Sequence, residues 1–290
     1  MRVAVLGASG FVGSALVETL ALEHDVVAVA RRKPTLRGAA CVAADLTKPE
    51  DAERALVGVD VAVHLVHSLG QADYERRDVA IATNVAAAAE ACGLTQIVYL
   101  GGLGDDADEL SSHLRSRHET GLALAGGSVP VTILRAGVIV GRGSAAFETI
   151  VALVDRLPAM VCPRWVAVPT QPIALGDVVA TIAGVVGMER AYGESYDLGG
   201  PEVMTYREMI DGIARVRGKR PLIVEVPVLT PRLSSLWLHL VTPVKASVAR
   251  PLIDGLRNPT VTKDDRIREL VPVPLTPFER AVREALGSAG

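Results

Sequence analysis

Apolar residues over the first 135 or so positions gather into short runs, and the stretches between the runs have helical length and period. The runs Arg2–Leu6, Val26–Ala30, Ala40–Ala43, Val61–Val66, Gln96–Leu100 and Val131–Leu134 are continuous blocks rich in Val, Ile, Leu and Ala. That pattern predicts strands covered on both faces, as in a parallel sheet. Val12, Leu16 and Leu20 recur at i, i+4 and i+8, and Tyr74–Cys92 is Ala-rich without Gly or Pro, so both stretches predict helices. The order β-α-β-β-α-β-α-β-α-β is that of repeated βαβ units, hence an α/β fold.

Past Gly143 the rhythm loosens, with prolines at 158, 163, 169 and 172. Helices are expected from Asp177 and over Thr205–Val216. The expected division is a core over 1–143 and a C-terminal substrate lobe over 144–290, interleaved into a single compact unit. Val226–Val244 is nearly uncharged, but Pro227, Pro231 and Pro243 and its modest length argue against a membrane span. It reads as a lid or interface helix. No internal repeat or low-complexity tract is found.

Composition narrows the partners. The chain of 290 residues is 49% hydrophobic but only 3% aromatic, so its core is built from Ala, Val and Leu. With 30 Lys+Arg against 33 Asp+Glu, a formal charge of −3 gives no field to draw nucleic acid or an acidic membrane. Cys41, Cys92 and Cys162 are an odd number without a CxxC spacing, which indicates neither a disulfide framework nor a zinc site. MRVAVLGASG has no signal core, and a cytoplasmic location is expected. Monomer and homodimer stay equally open.

Candidate chemistry begins at G-A-S-G-F-V-G, Gly7–Gly13, directly after a strand and directly before an amphipathic helix. Gly7 permits a tight turn, Gly10 lets backbone approach a pyrophosphate, and Gly13 lets the helix pack close to the strand. The helix N-terminus then faces the phosphates. With Ser9, Phe11 and Val12 in the same turn, these residues predict a dinucleotide site in a Rossmann-type, doubly wound parallel sheet. The second strand ends VVAVARR, where an NAD site would carry an acidic residue for the ribose 2′-hydroxyl. Arg31 and Arg32, with the Ser9 hydroxyl, would instead hold a 2′-phosphate, which favours NADP(H) over NAD(H).

The GxxGxxG spacing resembles the short-chain dehydrogenase/reductase superfamily, in particular its atypical, extended-like branch. AADL at Ala43–Leu46, VAVHLVHS at Val61–Ser68, IVYLGGL at Ile97–Leu103, HLRSRHE at His113–Glu119 and LRAGVIVG at Leu134–Gly141 are similar to that branch, as are Cys162–Trp165 and Thr170–Val178. The resemblance implies that Asp45 and Leu46 lie beside the adenine, Leu65, Val66 and His67 against its ribose, and Leu100, Gly101 and Gly102 near the nicotinamide ribose. Asp45 reads equally well as a turn or N-cap residue before Pro49.

The family's Ser, Tyr and Lys are all replaced. The Ser position falls on Gly101 or Gly102, the Tyr position on His113 and the Lys position on Arg117. Spacing i, i+4 puts His113 and Arg117 on one helix face. A permanent cation beside His113 would disfavour its imidazolium. Tyr99 is the nearby phenol, a catalytic candidate that also reads as a packing residue. His64 and His67, three apart on the predicted strand, would point to opposite faces, and His113 and His118 are five apart on a helix, so neither pair suits a metal. Asp105 and Asp106 read as solvated turn residues.

Three functions follow. The first is an NADP(H)-dependent oxidoreductase for a small apolar carbonyl or quinone-like substrate. The alternatives are a non-catalytic NADPH-binding sensor, assembly or regulatory protein and, ranked last, a nucleotide-sugar epimerase-like protein. Whether the chain is an enzyme at all turns on His113 and Arg117.

Overall fold

Alternate residues of the central strands face opposite layers of helices, and this divides the core in two. The computed structural model describes residues 1–71, 73–104, 110–226, 255 and 258–287. Seven parallel strands form the main sheet: β1 (Arg2–Leu6), β2 (Asp25–Ala30), β3 (Ala39–Ala43), β4 (Val61–His64), β5 (Gln96–Gly102), β6 (Val131–Ala136) and β11 (Ser195–Leu198), in the order β11-β6-β5-β4-β1-β2-β3. The sheet is the expected doubly wound α/β type, and strand order reverses at β1, which has β2 on one side and β4 on the other.

Val3 and Val5 of β1 join Val26, Val61, Val63 and Val98 beneath α1 (Phe11–Leu20) and α6 (Leu175–Val185). Ala4 and Leu6 face the other way, with Val27, Val29, Ala62 and Tyr99, against α2 (Pro49–Leu56), α3 (Tyr74–Cys92) and α4 (Ser112–Ala125). Burying both faces explains why the strands read as unbroken apolar runs. The helix Tyr74–Cys92 has the predicted bounds and ends at Gly93, whose positive φ of 73° lets its N–H reach back to the last carbonyls.

Sequence patterning missed the short strand pairs β7 (Ile139–Val140) with β10 (Ile173–Ala174) and β9 (Pro169–Thr170) with β12 (Met204–Thr205), and several larger elements of the second half, of which two bear on the core. β11 pairs with β6, Ser195 opposite Ile133, so the C-terminal half supplies an edge strand of the main sheet. The strand is only four residues long and its register is set by β6, not by its own period. Helix α5 (Ala145–Arg156) is capped by Ser144, and packs Phe147 and Val154 with Met209 and Ile213 of α7 (Tyr206–Val216) in a third cluster. That cluster also takes residues from the parallel pair β8 (Ala159–Pro163) and β13 (Leu222–Val226), and from α9 (Phe278–Leu286), which follows the short α8 (Arg266–Leu270). The helix expected from Asp177 starts at Leu175, and that expected at Thr205 starts at Tyr206 with Thr205 as its cap in a capping box with Glu208. Apart from Val226, which ends β13, the apolar segment Val226–Val244 lies outside the described residues, as do Asp105 and Asp106. Among the described residues no helix is long and apolar enough to cross a membrane.

Candidate functional site

The strand-order reversal opens a crevice at the C-terminal ends of β1 and β4, the position at which open α/β sheets bind ligands. Gly7 follows β1 directly with φ +92°, and its N–H donates to the Val29 carbonyl of β2 at 2.9 Å. A side chain there would be strained in backbone and would press on the Leu65 and Val66 backbone at 3.1–3.2 Å. At Gly13 a Cβ would overlap the Gly7 carbonyl and sit 2.9 Å from the Ala8 Cα. The turn therefore keeps α1 close over the strand end only because these positions lack side chains.

A cavity of about 160 Å³ lies against this turn, lined by Gly7, Ser9 and Gly10, by Arg31 past β2, by Asp45 and Leu46 past β3, and by Leu65, Val66 and His67 past β4. Thus nine residues singled out in the sequence share one wall. Arg32 is exposed and is not among the lining residues. Val12 and Gly13 are buried under the helix, and Phe11 packs toward Gly141 and Gly143. Asp45 lines the cavity and is a turn residue, its Oδ1 accepting from the Thr47 hydroxyl at 2.8 Å and the Thr47 N–H at 3.2 Å. These bonds, Thr47's hydroxyl foremost, hold its carboxyl below the usual range. The cap position of α2 itself belongs to Lys48.

Ser68, Gln71, Arg77 and Ile81 also line this cavity and were not foreseen. Arg77 lies 3.7 Å from Asp45 and adds a second cation to the wall. Its signal was present, since Arg77 and Ile81 are i, i+4 on α3, but nothing in the sequence says which strand ends that face will meet.

At the far end of β4 the structure corrects the expected strand. β4 stops at His64, so His67 is not a strand residue and the opposite-faces argument for His64 and His67 does not apply. The chain turns instead, and Asp78 of α3 fixes the turn: its Oδ1 accepts the Ser68 N–H at 2.9 Å and its Oδ2 is 2.8 Å from His67 Nδ1. The His67 ring lies 5.2 Å from that of His113, centroid to centroid, and 6.3 Å edge-on from Tyr74. Tyr74 in turn donates to Ser112 at 3.2 Å, tying the start of α3 to the start of α4. Among the described residues, no group of histidine, cysteine and acidic side chains could hold a metal.

His113 and Arg117 do share the inner face of α4. The Arg117 Nη2 donates to the Leu100 carbonyl and its guanidinium stacks 4.9 Å over the Tyr99 ring. The Tyr99 hydroxyl, which is buried, donates to the Arg117 carbonyl at 2.8 Å. That phenol anchors α4 to β5. Leu100 is a core residue, while Gly101, Gly102, Tyr99 and Arg117 line a separate cavity of about 260 Å³ with Leu114, His118 and Arg135. The catalytic candidates and the glycine turn thus do not line one cavity.

Burial drives the His113 imidazole down to about 3, with further lowering from His67 and Arg117. The cation named in the sequence argument contributes, but desolvation is the larger cause. His64, wholly buried, falls to about 3 for the same first reason. His67 is lowered less, because its bond to Asp78 opposes burial. Several polar atoms here are buried without a protein partner among the described residues: His64 Nδ1, His67 Nε2, His113 Nδ1, Ser116 Oγ and Arg117 Nη1. Buried polar groups are ordinarily paired, so these five atoms set this end of the crevice apart from the apolar core.

Fold and crevice define the class: an α/β protein with a Rossmann-type, doubly wound parallel sheet. More particularly, residues 3–115 match the model of the NAD dependent epimerase/dehydratase family. No curated protein matches the chain by sequence. Among solved structures, the chain is similar to a nucleoside-diphosphate-sugar epimerase from Staphylococcus aureus, 15% identical with TM-score 0.78 over 98% of this chain and 100% of that one. It is also similar to the NADPH-dependent quinone oxidoreductase from Escherichia coli complexed with NADPH, 20% identical with TM-score 0.76 over 98% and 99%. A third is the Citrobacter sp. triphenylmethane reductase complexed with NADP(H), 20% identical with TM-score 0.74 over 98% and 100%.

Proposed function

We propose that this chain is an NADP(H)-dependent oxidoreductase acting on a small apolar carbonyl or quinone-like substrate. The observation that carries the reading is a single cavity bounded by the glycine turn at one side and by Arg31 and Arg77 at another. Gly7 and Gly10 with the start of α1 would receive the pyrophosphate, and the guanidiniums would pair with a 2′-phosphate. The residues present fit the cofactor, since a Cβ at Gly7 or Gly13 would fill the cradle. Bound NADPH would supply a hydride. The protein then has to exclude water, hold a carbonyl oxygen and provide a proton.

Residues 144–290 serve as the substrate lobe in this reading. Two similar structures, a quinone oxidoreductase and a triphenylmethane reductase, carry NADPH or NADP(H), which agrees with the cofactor assigned. A competitive titration of purified protein with NADPH and NADH tests the cofactor, and equal affinity for the two would sink the NADP assignment. Cofactor oxidation is then followed with cyclohexanone, trans-2-hexenal and 9,10-phenanthrenequinone. The activity stands if one of these is reduced at the expense of NADPH, and falls if none is.

A further inference from the structure

Loss of the family's tyrosine leaves the proposed reaction without an obvious proton source. His113 occupies that position, but it does not line the cavity of the glycine turn, and its Nδ1 is buried with no protein partner among the described residues to fix its tautomer. Tyr99 has its hydroxyl committed to the Arg117 carbonyl. Arg117 does not release a proton.

His67 differs from these in three respects that do not depend on its titration. It lines the cavity of the glycine turn, which His113, Tyr99 and Arg117 do not, and its ring lies 5.2 Å from that of His113 at the family's Tyr position, so it borders the reacting end and not only the adenine ribose that the resemblance implies. Its Nδ1 is held at 2.8 Å by a carboxylate that is itself buried and fixed by the Ser68 N–H. Its other nitrogen, Nε2, is buried with no protein partner among the described residues. A carboxylate on Nδ1 makes that nitrogen the donor, so the neutral ring presents a bare lone pair at Nε2. It also stabilises the ring when Nε2 takes up a proton. An aspartate that orients a histidine in this way fixes its tautomer without becoming protonated itself. Asp78 is held in the charged form: burial opposes this, but the hydrogen bond and charge of His67 and the Ser68 N–H outweigh it.

We propose that His67 is the proton-transfer residue of this site, with Asp78 as the residue that positions it. The proposal rests on the oxidoreductase reading above. In the reductive direction the hydride that bound NADPH would supply goes to the carbonyl carbon, and the C=O π pair would move to oxygen. The Nε2–H bond of the His67 imidazolium breaks as an O–H bond forms there. The products are the hydroxyl compound, NADP⁺ and neutral His67 still donating through Nδ1 to Asp78. In the oxidative direction the same Nε2 accepts the hydroxyl proton.

The groups facing His67 are Tyr74 and Asp78 from α3, and His113 and Arg117 from α4. Reduction needs the imidazolium, so its rate is full at low pH and falls as pH rises through the His67 pKa, which lies below the ordinary 6.5.

The test uses full-length wild type, His67→Gln and Asp78→Asn. Asparagine keeps an oxygen for the Ser68 N–H but presents an NH₂ to His67 Nδ1, which reverses the tautomer at little cost to the fold. The readouts are NADPH affinity by fluorescence, the ¹⁵N shifts of labelled histidine against pH with NADP⁺ bound, and NADPH oxidation with the three carbonyl probes above. Expected are NADPH affinity within about threefold of wild type for Asp78→Asn, whose side chain does not line the cavity, and a Nδ1–H tautomer of His67 in wild type that switches in that variant. Turnover should fall by at least about 100-fold in both variants, with loss of the high-pH limb in His67→Gln. His67→Gln turning over like wild type, or a wild-type His67 protonated at Nε2 alone in its neutral form, overturns the proposal while leaving the oxidoreductase reading intact. A wild type that binds NADPH yet reduces none of the probes overturns both.

Discussion

The two ends of the crevice solve different problems. At the glycine turn the protein contributes mainly backbone and space: Gly7 and Gly13 lack side chains because the Leu65, Val66 and Gly7 backbone occupies the room they would need. At the α4 end it contributes buried polar side chains, and five of their atoms go unpaired within the described structure. A backbone cradle tolerates almost no sequence change and so stays recognisable at low identity. A side-chain cluster can be rebuilt with different residues, as His113 and Arg117 in place of Tyr and Lys illustrate, and its chemistry then has to be read again from geometry.

Predictions that separate the two ends can be ordered by size. Gly13→Ala should have the largest effect, because its Cβ must displace the Gly7 carbonyl or α1 itself; a loss of about 1–3 kcal/mol in urea unfolding and abolished NADPH binding are expected. Retained NADPH affinity in that variant would break the claim that the turn is the cofactor cradle. Next is the α4 end under acid. His64 and His113 stay neutral in the fold down to about 3, whereas unfolded histidines protonate near 6.5. Between those values the unfolded state binds more protons, so stability is full above about pH 6.5 and falls as pH drops. Urea melts from pH 7 to pH 4 should show this slope, and His64→Gln should flatten it.

Smaller still is Arg31→Ala. Removing one charge-assisted partner should weaken NADPH by about 10- to 100-fold and leave NADH nearly unchanged, as measured by calorimetry. An equal loss for both cofactors would move Arg31 from specificity to general electrostatics. Tyr99→Phe should have the smallest effect. It deletes one buried hydrogen bond to the Arg117 carbonyl, so about 1 kcal/mol of stability is expected to go with turnover largely kept. A collapse of turnover without loss of stability would return the phenol to the list of proton donors.

Legibility in the sequence followed the range of the interactions. β1, the helix Tyr74–Cys92 and the glycine turn were readable because local period and local sterics specify them. Of the first cavity's lining, the residues that directly follow strands, such as Gly7, Arg31, Asp45 and Leu65, were found from position alone. Arg77 and Gln71 were not, since they reach the cavity only through the packing of α3. β4 was drawn two residues too long because Leu65 and Val66 continue its apolar run, while the backbone turns away to meet Asp78. β11 escaped notice because four residues carry too little period to stand out, and its partner lies some sixty positions earlier.

By itself, then, the sequence determined the parallel α/β layering and the dinucleotide-type turn, since continuous apolar runs and side-chain-free glycines are local necessities. Only the tertiary structure decided that Arg31 rather than Arg32 borders the cavity, that Tyr99 is tied to the α4 backbone, and that Asp78 clamps His67. Each of those depends on which helix meets which strand end. The separation of eleven positions from His67 to Asp78 closes to 2.8 Å through the docking of α3, which no local pattern encodes.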